Sequence, residues 1–312
     1  FYPYPSEEEA LTDVLRLSRG MTYKAAAAGL DLGGGKAVII GDPRTDKSER
    51  LFRSYGTLVD SLGGRYITAE DMGTTAEDLT TVRRETRWAL GLPVAEGGSG
   101  DPSPVTARGL FAALRATAEY LWGSTDLAGR RVLVQGVGKV GAAFVRLLVE
   151  ARVEVIVTDS EESAIDRAVG DFGVKPVDPD DAYSVPCDVF SPCAMGAVLN
   201  RTTIPKLACE AVVGSANNQL ATEEDSDRLA ERGVLYAPDF VVNAGGLINV
   251  YDELQGYSKS RALHRVDSIY HATRRVFETA DERGITPQAA ALHVAERRIE
   301  EIGALARRRD PR

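Results

Sequence analysis

The stretch RVLVQGVGKVG, at positions 131–141, restricts the fold of this chain more than any other feature of the sequence. Its apolar run is followed by three glycines at the spacing GxGxxG, and an apolar helical pattern continues beyond them. This order predicts a buried strand, a tight turn and a helix. The segment VEVIVTD at 153–159 predicts a second strand, and a second helix follows from Glu161. Such alternation predicts an α/β fold with a doubly wound, parallel sheet.

The three glycines have the positions that a dinucleotide-binding turn requires. Gly136 permits the tight turn, Gly138 lets the backbone approach a pyrophosphate, and Gly141 lets the helix pack closely on the strand. Asp159 follows the next strand, where its carboxylate can accept hydrogen bonds from a ribose diol and would repel a 2′-phosphate. We therefore predict a Rossmann-type domain that binds NAD in preference to NADP. The alternative is a glycine turn in an α/β sheet that binds nothing.

A segment rich in Gly, Pro and Ser, GLPVAEGGSGDPSP at 91–104, separates two different sequence patterns. We place a domain boundary at its end, with a first domain at 1–104 and the Rossmann-type domain at 105–284. Residues 285–312 are expected to form a C-terminal helix that packs back on the first domain, and Thr286-Pro287 is a suitable start for that helix. The length of 312 residues agrees with two domains.

Three predictions of secondary structure concern the first domain. The capping box Ser6-Glu-Glu-Glu9 starts an amphipathic helix, which we expect to end near Gly20 because a glycine suits a helix C-terminus. Residues 36–40, KAVII, predict a buried strand. Residues 66–69, YITA, predict a second strand.

Composition and charge exclude several classes of protein. A net charge of −9 and a pI near 5.1 oppose binding to nucleic acid or to an anionic membrane. The three cysteines and three histidines show no paired zinc spacing, so no metal site is predicted. No apolar run reaches transmembrane length, and we expect a cytoplasmic protein that binds small molecules. Because the chain opens FYPYP without an initiator Met, we also expect a segment to precede it.

Two lysines lie twelve positions apart in glycine-rich, apolar surroundings, in GMTYKAAAAGLDLGGGK at 20–36. A lysine held in a dry cleft has a lowered pKa and can exchange protons near neutral pH, whereas one that faces a carboxylate stays charged and anchors it. Lys24 and Lys36 could divide these two roles, and Asp71, at the end of a predicted strand, could share protons with one of them. Without the surrounding motifs, Lys24 could equally be a solvated helix lysine and Asp71 a helix cap.

Six ordered motifs make the sequence similar to a known family. They extend across nearly the whole chain and are GMTYKAAAAGLDLGGGKAVIIGDP, YITAEDMGTT, GGSGDPSPVTARG, GVGKVG, SANNQL and PDFVVNAGGLINV. They resemble the amino acid dehydrogenases that act on leucine, valine and phenylalanine, and valine dehydrogenase most of all. The resemblance implies an N-terminal substrate domain joined by an active-site cleft to the Rossmann-type domain. It also implies a homo-oligomer that converts an L-amino acid reversibly into a 2-oxo acid and ammonia with NAD.

The resemblance assigns roles to residues of the first domain. Lys36 is expected to be the catalytic acid and base, with Asp71 assisting it. Lys24 is expected to bind the α-carboxylate of the substrate, and Met21 is expected to line the same site.

The resemblance also assigns roles in the second domain. Thr106, in the motif DPSPVTA, is expected to contact the cofactor near the nicotinamide. Asn218, in NNQL, is expected to help hold the amino acid, and Asn217 is the alternative for that role. Besides Gly136, Gly138, Gly141 and Asp159, the further residues expected to bind NAD are Lys139, Val140, Cys193, Ala194, Ala216, Asn217 and Asn243.

Three apolar residues are expected to form the wall of the substrate pocket: Ala69, Leu247 and Val250. They favour an aliphatic side chain, so leucine or valine is expected ahead of phenylalanine. Glutamate dehydrogenase, which shares the architecture, is disfavoured because burial of an unpaired carboxylate costs several kcal/mol. A catalytically silent NAD-binding regulator is the alternative from another class, and the presence of Lys24, Lys36 and Asp71 together argues against it.

Overall fold

The computed structural model describes residues 1–309, which divide into two compact units. The first unit comprises Phe1–Pro102 and Leu247–Leu263. The second comprises Ser103–Gly246 and the residues from His264 onward. Each unit is therefore built from two separate parts of the sequence.

The first unit combines helices with a short parallel sheet. Its elements in the first part of the chain are α1 (Glu7–Ala27), α2 (Glu49–Ser61), β1 (Thr68–Ala69), α3 (Ala76–Arg83) and β2 (Ala89–Leu90). The strand predicted at 66–69 is present as β1, which pairs with β2 in parallel. Phe52 of α2 packs with Leu79 and Val82 of α3 in a buried cluster, which fixes the two helices against each other.

Helix α1 is longer than the sequence predicted. Its N-cap Ser6 accepts a hydrogen bond from the backbone N–H of Glu9 at 3.2 Å, as expected of a helix start. The helix then continues through Gly20 to Ala27, so the expected end at Gly20 is wrong. A glycine inside a helix costs only about 1 kcal/mol, and the Met, Lys and Ala residues that follow are strong helix formers. Lys24 consequently lies in the last turn of α1.

Residues 36–40 do not form the buried strand that their apolar run predicted. Within the described part of the chain, Ile40 makes one parallel bridge, with Tyr2, and no ladder extends from it. The pairing consists of Tyr2 N donating to Ile39 O at 3.1 Å and Gly41 N donating to Tyr2 O at 3.2 Å. A strand is held by a ladder over several residues. Because this segment has a single pairing step, Ile40 stays 48% exposed.

The second unit contains a six-stranded sheet and most of the remaining helices. Its strands are β3 (Arg131–Gln135), β4 (Glu154–Thr158), β5 (Lys175–Pro176), β6 (Val189–Pro192), β7 (Ala211–Val212) and β8 (Leu235–Tyr236). Its helices are α4 (Ser103–Trp122), α5 (Lys139–Glu150), α6 (Glu162–Phe172), α7 (Asp225–Glu231), α8 (Asp239–Val242), α11 (Ile269–Arg283) and α12 (Pro287–Arg309). Two more helices, α9 (Gly245–Tyr251) and α10 (Lys259–Asp267), lie where the chain changes from one unit to the other. Over residues 1–309, none of the helices is both long and apolar enough to cross a membrane.

All neighbouring strands of the large sheet are parallel, in the order β5-β4-β3-β6-β7-β8. Numbered from β3, this is the order 3-2-1-4-5-6 of a doubly wound, Rossmann-type sheet, so the predicted fold class is confirmed. Val132, Leu133 and Val134 of β3 have no exposed surface, as expected of a central strand with both faces covered. The strand order reverses between β3 and β6, and sheets of this kind bind ligands beyond the carboxyl ends of the strands at that point.

The two units do not coincide with the predicted domains. The first unit ends at Pro102 rather than at 104, because α4 already begins at Ser103. Residues Leu247–Leu263 belong to the first unit, although the sequence placed them in the Rossmann-type domain. Helix α12 was expected to pack on the first domain, but it belongs to the second unit, where it packs along α11. Residues 310–312 of that predicted C-terminal segment lie outside the described residues.

Candidate functional site

Lys36 and Asp71 form an ion pair in the first unit. The Nζ of Lys36 donates to Oδ2 of Asp71, and the side chains are 21% and 62% exposed. Burial lowers the pKa of Lys36 below its ordinary value, and the negative charge of Asp13 opposes this shift. Because Asp71 is largely exposed, solvent screens its charge, and the burial of Lys36 decides the direction. The pair is thus a lysine whose pKa is lowered by burial, beside a largely exposed carboxylate.

A tight turn at residues 71–74 orients the Asp71 side chain. Thr74 Oγ1 accepts from Asp71 N at 2.9 Å and donates to Asp71 O at 2.8 Å. Oδ1 of Asp71 accepts from Met72 N at 2.7 Å, which leaves Oδ2 to meet Lys36. The alternative of a helix cap does not apply, because the N-cap of α3 is Thr75.

The glycines before Lys36 allow its loop to pass close to other parts of the first unit. A Cβ added at Gly34 would lie 2.5 Å from the backbone oxygen of Ser18 and still closer to Thr22, both on α1. A Cβ at Gly35 would lie 2.9 Å from the ring of Tyr66. Only a glycine permits such a close approach to a helix backbone. Gly34 and Gly35 are therefore required by packing, and Gly34 allows the loop that bears Lys36 to pass next to α1, the helix that bears Lys24.

The substrate-binding candidates Lys24 and Met21 lie three positions apart on α1 and are both half-buried. Residues at this spacing share one face of a helix. Asp13 lies eleven positions before Lys24, about three helical turns away on the same side of α1. The phenol of Tyr4 donates to Asp13 at 2.5 Å and orients it. Sequence motifs gave no indication of Asp13, whose influence on Lys36 comes only from tertiary structure.

The three pocket candidates of the first unit lie on two elements. Ala69 is exposed on β1, and Leu247 and Val250 are half-buried on α9. Between them, Ile248 and Asn249 are buried, so α9 turns its other side toward the interior. Leu247 and Val250 thus share one partly open helix face, as their spacing predicted.

Glu253, which the sequence analysis did not select, connects these elements. It follows α9 in a short 3₁₀ helix and accepts from Gly91 N at 3.0 Å and from Ser99 N at 2.7 Å. A Cβ at Gly91 would lie 3.9 Å from the Cβ of Ala69. The carboxylate therefore holds the helix that bears Leu247 next to the strand that bears Ala69. Glu253 lies outside the six sequence motifs. Its position three residues after Val250 is the one sequence feature that connects it with the predicted pocket.

The glycine-rich turn of the second unit lies after β3, at the reversal of strand order. Gly136 has φ +99°, and a Cβ there would lie 2.6 Å from Cβ of Ala194, which follows β6. A Cβ at Gly141 would collide with the carbonyl group of Gly136. At Gly138, by contrast, a Cβ would meet no atom within 4 Å. The first and third glycines are required by packing, and the second leaves open space at the start of α5.

This arrangement fits the diphosphate of a dinucleotide. Gly138 is the N-cap of α5 and has no side chain to cap the first backbone N–H groups of that helix. Such groups attract an anion, as does the helix dipole. Lys139 and Val140 form the first turn of α5, and the Lys139 side chain is exposed. Within residues 1–309, no three His, Cys, Asp or Glu side chains are placed to hold a metal ion.

Asp159, directly after β4, is bonded to the same turn. Its Oδ2 accepts from Val137 N at 2.8 Å, and its Oδ1 accepts from Glu161 N at 3.0 Å. Each carboxylate oxygen has two acceptor sites, so both oxygens can still accept from a ribose hydroxyl. Asp159 therefore both fixes the turn and presents a negative charge beside it.

The other cofactor candidates follow neighbouring strands or begin helices in the second unit. Cys193 and Ala194 come after β6, Ala216 and Asn217 after β7, and Asn243 after α8, whereas Thr106 lies in the first turn of α4. The side-chain amide of Asn243 donates to Asn217 Oδ1 at 2.9 Å and to Ser215 O at 3.2 Å. These bonds connect Asn243, directly after α8, with the segment that follows β7.

Asn217 and Asn218 are exposed but differ in their surroundings. The Asn217 side chain accepts from Asn243, a cofactor candidate. Asn218 has φ +51°, a conformation that few residues other than glycine adopt, and its carbonyl accepts from Ala197 N at 2.7 Å. A residue held in this conformation points its side chain differently from its neighbour. The difference is compatible with separate roles for the two amides.

Two family models match the chain. The model described as "Glu/Leu/Phe/Val dehydrogenase, dimerisation domain" matches residues 1–88. The model described as "Glutamate/Leucine/Phenylalanine/Valine dehydrogenase" matches residues 97–170 and 154–305. Together the matches extend over nearly the whole chain.

Relatives with three different substrates are similar to the chain at nearly equal identity. Leucine dehydrogenase of Thermoactinomyces intermedius is 52% identical over 96% of this chain and 82% of its own length. Phenylalanine dehydrogenase of Lysinibacillus sphaericus is 50% identical over 96% and 80%, respectively. Valine dehydrogenase of Streptomyces virginiae is 49% identical over 96% and 84%. Identity alone therefore does not choose among these substrates.

Solved structures agree with the same architecture. L-tryptophan dehydrogenase from Nostoc punctiforme superposes with a TM-score of 0.86 at 44% identity, covering 96% of this chain and 86% of that one. The hetero-hexameric glutamate dehydrogenase from Thermus thermophilus, in its Leu-bound form, has a TM-score of 0.79 at 26% identity, covering 96% and 79%.

Proposed function

We propose that this chain, which belongs to the Glu/Leu/Phe/Val dehydrogenase family and is an amino acid dehydrogenase, acts with NAD on an apolar L-amino acid, leucine or valine first. The products are the 2-oxo acid and ammonia, and the reaction is reversible. Members of this family depend on a nicotinamide cofactor. The observation that carries the proposal is the ion pair of Lys36 with Asp71, in which burial lowers the pKa of the lysine.

Lys36 and Asp71 supply the proton chemistry of the proposed reaction. Loss of ammonia from an oxidised amino acid requires a water molecule to be activated by a base. The neutral amine of Lys36 is such a base, and the carboxylate of Asp71 receives or returns the proton. In the reverse reaction, the same two groups transfer the proton in the opposite direction, and the protonated Lys36 acts as the acid.

Lys24 and Asn218 are proposed to hold the substrate. A charged lysine in the last turn of α1 makes a charge-assisted hydrogen bond to the α-carboxylate, which is stronger than a neutral one. Lys24 and Lys36 thus have different tasks, one as a cation and the other as a base. Met21, one helical turn before Lys24, adds apolar contact.

NAD, when bound, supplies the acceptor for the hydride that leaves the substrate Cα. The residues proposed to hold it are those of the turn at 136–141, with Asp159 at the adenosine ribose and Thr106 near the nicotinamide. Asp159 favours NAD over NADP because its charge repels a 2′-phosphate. Asn243 and Asn217, joined by their amides, are proposed to support the remaining polar groups of the cofactor.

The preference for leucine or valine rests on the pocket candidates. Ala69, Leu247 and Val250 offer apolar surface with no charged group among them, which disfavours the side-chain carboxylate of glutamate. The two branched side chains on α9 narrow the space from one side and favour an aliphatic group over an aromatic one. Phenylalanine dehydrogenase activity is the second candidate, because a phenylalanine dehydrogenase is 50% identical to the chain.

The test is the rate of NADH formation from L-leucine, L-valine and L-phenylalanine, with L-glutamate as the control. We expect leucine and valine to have the highest kcat/KM and glutamate the lowest. Absence of NADH formation with every amino acid, in a protein that still binds NAD, would support a silent regulator instead. Highest activity with NADP would contradict the role of Asp159.

We further propose a cytoplasmic homo-oligomer. The family model that matches residues 1–88 is described as a dimerisation domain, which supports self-association. All three cysteines are free, as is usual in a reducing compartment. Measurement of the mass in solution by light scattering tests the assembly, and a monomer at micromolar concentration would contradict it.

A further inference from the structure

Cys187 and Cys209 lie beside each other at the start of two neighbouring strands. Val189 of β6 pairs with Ala211 of β7, and each cysteine comes two positions before its member of that pair. The ladder continues back to them, because Cys187 N donates to Ala208 O at 3.0 Å. Opposite residues of neighbouring strands are about 5 Å apart, within the range of Cα separations that a disulfide bridges.

The two thiols are in contact and differ in character. The neighbouring thiol of Cys209 lowers the pKa of Cys187, and the proximity of Cys187 together with burial raises the pKa of Cys209. The guanidinium of Arg131 adds to the lowering at Cys187, and the charge of Asp188 opposes it. Both cysteines are half-buried, so small solutes can reach them. Cys187 is thus the nucleophile of the pair and Cys209 its neighbour.

Cys193 differs from this pair in its position and in its pKa. It follows β6 at the opposite end, six positions after Cys187, or about 20 Å along an extended strand. Such a distance excludes a disulfide with either of the other two. Burial also raises the pKa of Cys193, which disfavours its thiolate. Cys193 is therefore a control inside the same chain.

We propose that Cys187 and Cys209 form a reversible disulfide within one chain when the protein meets a hydroperoxide. The thiolate of Cys187 attacks one peroxide oxygen, the O–O bond breaks, and Cys187 becomes a sulfenic acid. The other peroxide oxygen leaves with the bonding electron pair and takes a proton from solvent, which gives an alcohol, or water when the oxidant is hydrogen peroxide. The sulfur of Cys209 then attacks the sulfur of Cys187, the S–O bond breaks, and the hydroxyl group leaves as water with the Cys209 proton. The two sulfurs together lose two electrons, and the peroxide gains them.

The pairing protects Cys187 from irreversible oxidation. A sulfenic acid without a neighbouring thiol is open to further oxidation to a sulfinic acid, whereas a disulfide is returned to thiols by a reductant. The bond would tie the amino ends of β6 and β7. It would lie at the opposite ends of the strands from Ala194 and the glycine-rich turn, so the modification is separate from the proposed cofactor site.

The test exposes the folded protein to hydrogen peroxide, blocks the remaining thiols with N-ethylmaleimide and identifies linked peptides by mass spectrometry. We expect a peptide pair joined through Cys187 and Cys209, in a protein that keeps its monomer mass on a non-reducing denaturing gel. Cys193 should carry the maleimide, and dithiothreitol should restore all three thiols. Links that involve Cys193, links only between chains, or the absence of any link would overturn the proposal.

Two variants distinguish the role of Cys209 from that of Cys193. Cys209→Ser should accumulate sulfinic acid at Cys187 faster than the wild type, because no thiol traps the sulfenic acid. Cys193→Ser should form the disulfide as the wild type does. Equal accumulation of sulfinic acid in Cys209→Ser and wild type would overturn the protective role, and the wild-type peptide map decides the pairing even if a variant folds poorly.

Discussion

Glu253 accepts a hydrogen bond from the backbone N–H of Gly91 at 3.0 Å, which joins two segments of the first unit that are 162 residues apart in the sequence. Its second oxygen accepts from Ser99 N at 2.7 Å. One carboxylate thereby fixes the segment that carries Leu247 and the strand that carries Ala69. We therefore expect the shape of the proposed substrate pocket to depend on this contact.

Glu253→Gln should change substrate selectivity. The amide keeps the volume of the side chain, but its nitrogen cannot accept, so one of the two backbone N–H groups loses its partner. We expect kcat/KM for leucine to fall by about tenfold, equivalent to about 1.4 kcal/mol, and the ratio of leucine to phenylalanine to change. Glu96→Gln is the matched control, because Glu96 is exposed and its carboxylate, within residues 1–309, accepts from one side chain, the hydroxyl of Thr80 at 3.0 Å. A lower Tm with an unchanged ratio would mean that Glu253 has only a structural role.

Lys36→Ala should abolish turnover while NAD binding survives. The change removes the proposed base, whereas the proposed NAD contacts at 136–141 lie in the other unit. Steady-state kinetics and calorimetric titration with NADH measure the two properties. The control is Lys47→Ala, which removes a lysine paired with Asp78 at 2.5 Å in the same unit. A fall in kcat of less than about tenfold, roughly 1.4 kcal/mol of barrier, would exclude Lys36 as the catalytic base.

The pH dependence of kcat for deamination should report the buried lysine. The neutral amine is the base, so kcat should rise with pH, and because burial lowers the pKa of Lys36, the midpoint should lie below the ordinary lysine value of about 10.4. Use of kcat avoids titration of the free amino acid. Asp71→Asn removes an anion that favours the ammonium form, so the residual activity should have its midpoint at lower pH. A midpoint displaced upward would contradict the pairing.

Asp159→Ser should narrow the preference for NAD over NADP and should also weaken NAD binding. The first effect follows from loss of a negative charge, and the second from loss of the bond to Val137 N that fixes the turn. Asp159→Asn separates the effects, because its amide oxygen can still accept from that N–H group. We expect both variants to have a smaller preference for NAD over NADP than the wild type. Asp159→Asn should bind NAD more tightly than Asp159→Ser. The ratio of kcat/KM for the two cofactors and the Kd for NAD are the measurements, and a wild type that prefers NADP would contradict the assignment.

Leu247→Ala should move selectivity toward phenylalanine. Removal of three carbons from the partly open face of α9 enlarges the proposed pocket, and each methylene is worth about 1–3 kcal/mol in selectivity. The ratio of kcat/KM for phenylalanine and leucine should rise at least tenfold. Leu58→Ala, at a position on α2 that is 60% exposed, should leave the ratio unchanged. Equal ratios in Leu247→Ala and wild type would show that the backbone and not this side chain limits the pocket.

Much of the second unit could be predicted from the sequence because its signals are local. The apolar run before Gly136 specifies β3, and the conformation of the turn at φ +99° requires a glycine whatever the rest of the chain does. The order of the strands, by contrast, came from the structure, because right-handed crossovers fix the hand of each connection and not which strands are neighbours. The same local signals located Asp159 after β4, but its bond to Val137 N became visible only in the structure.

The first unit depended more on tertiary structure. The sequence determined that Lys36 follows three glycines, but the contact of Gly34 with α1 and the ion pair with Asp71, 35 positions away, required the folded chain. The apolar segment at 36–40 lacks a ladder because strand formation needs a neighbour that no local window specifies. Likewise, Glu253 is placed by two backbone N–H groups more than 150 residues earlier in the chain. Local sequence determined which elements and motifs exist, and long-range packing decided which of their side chains meet, because contact energies act through space and not along the chain.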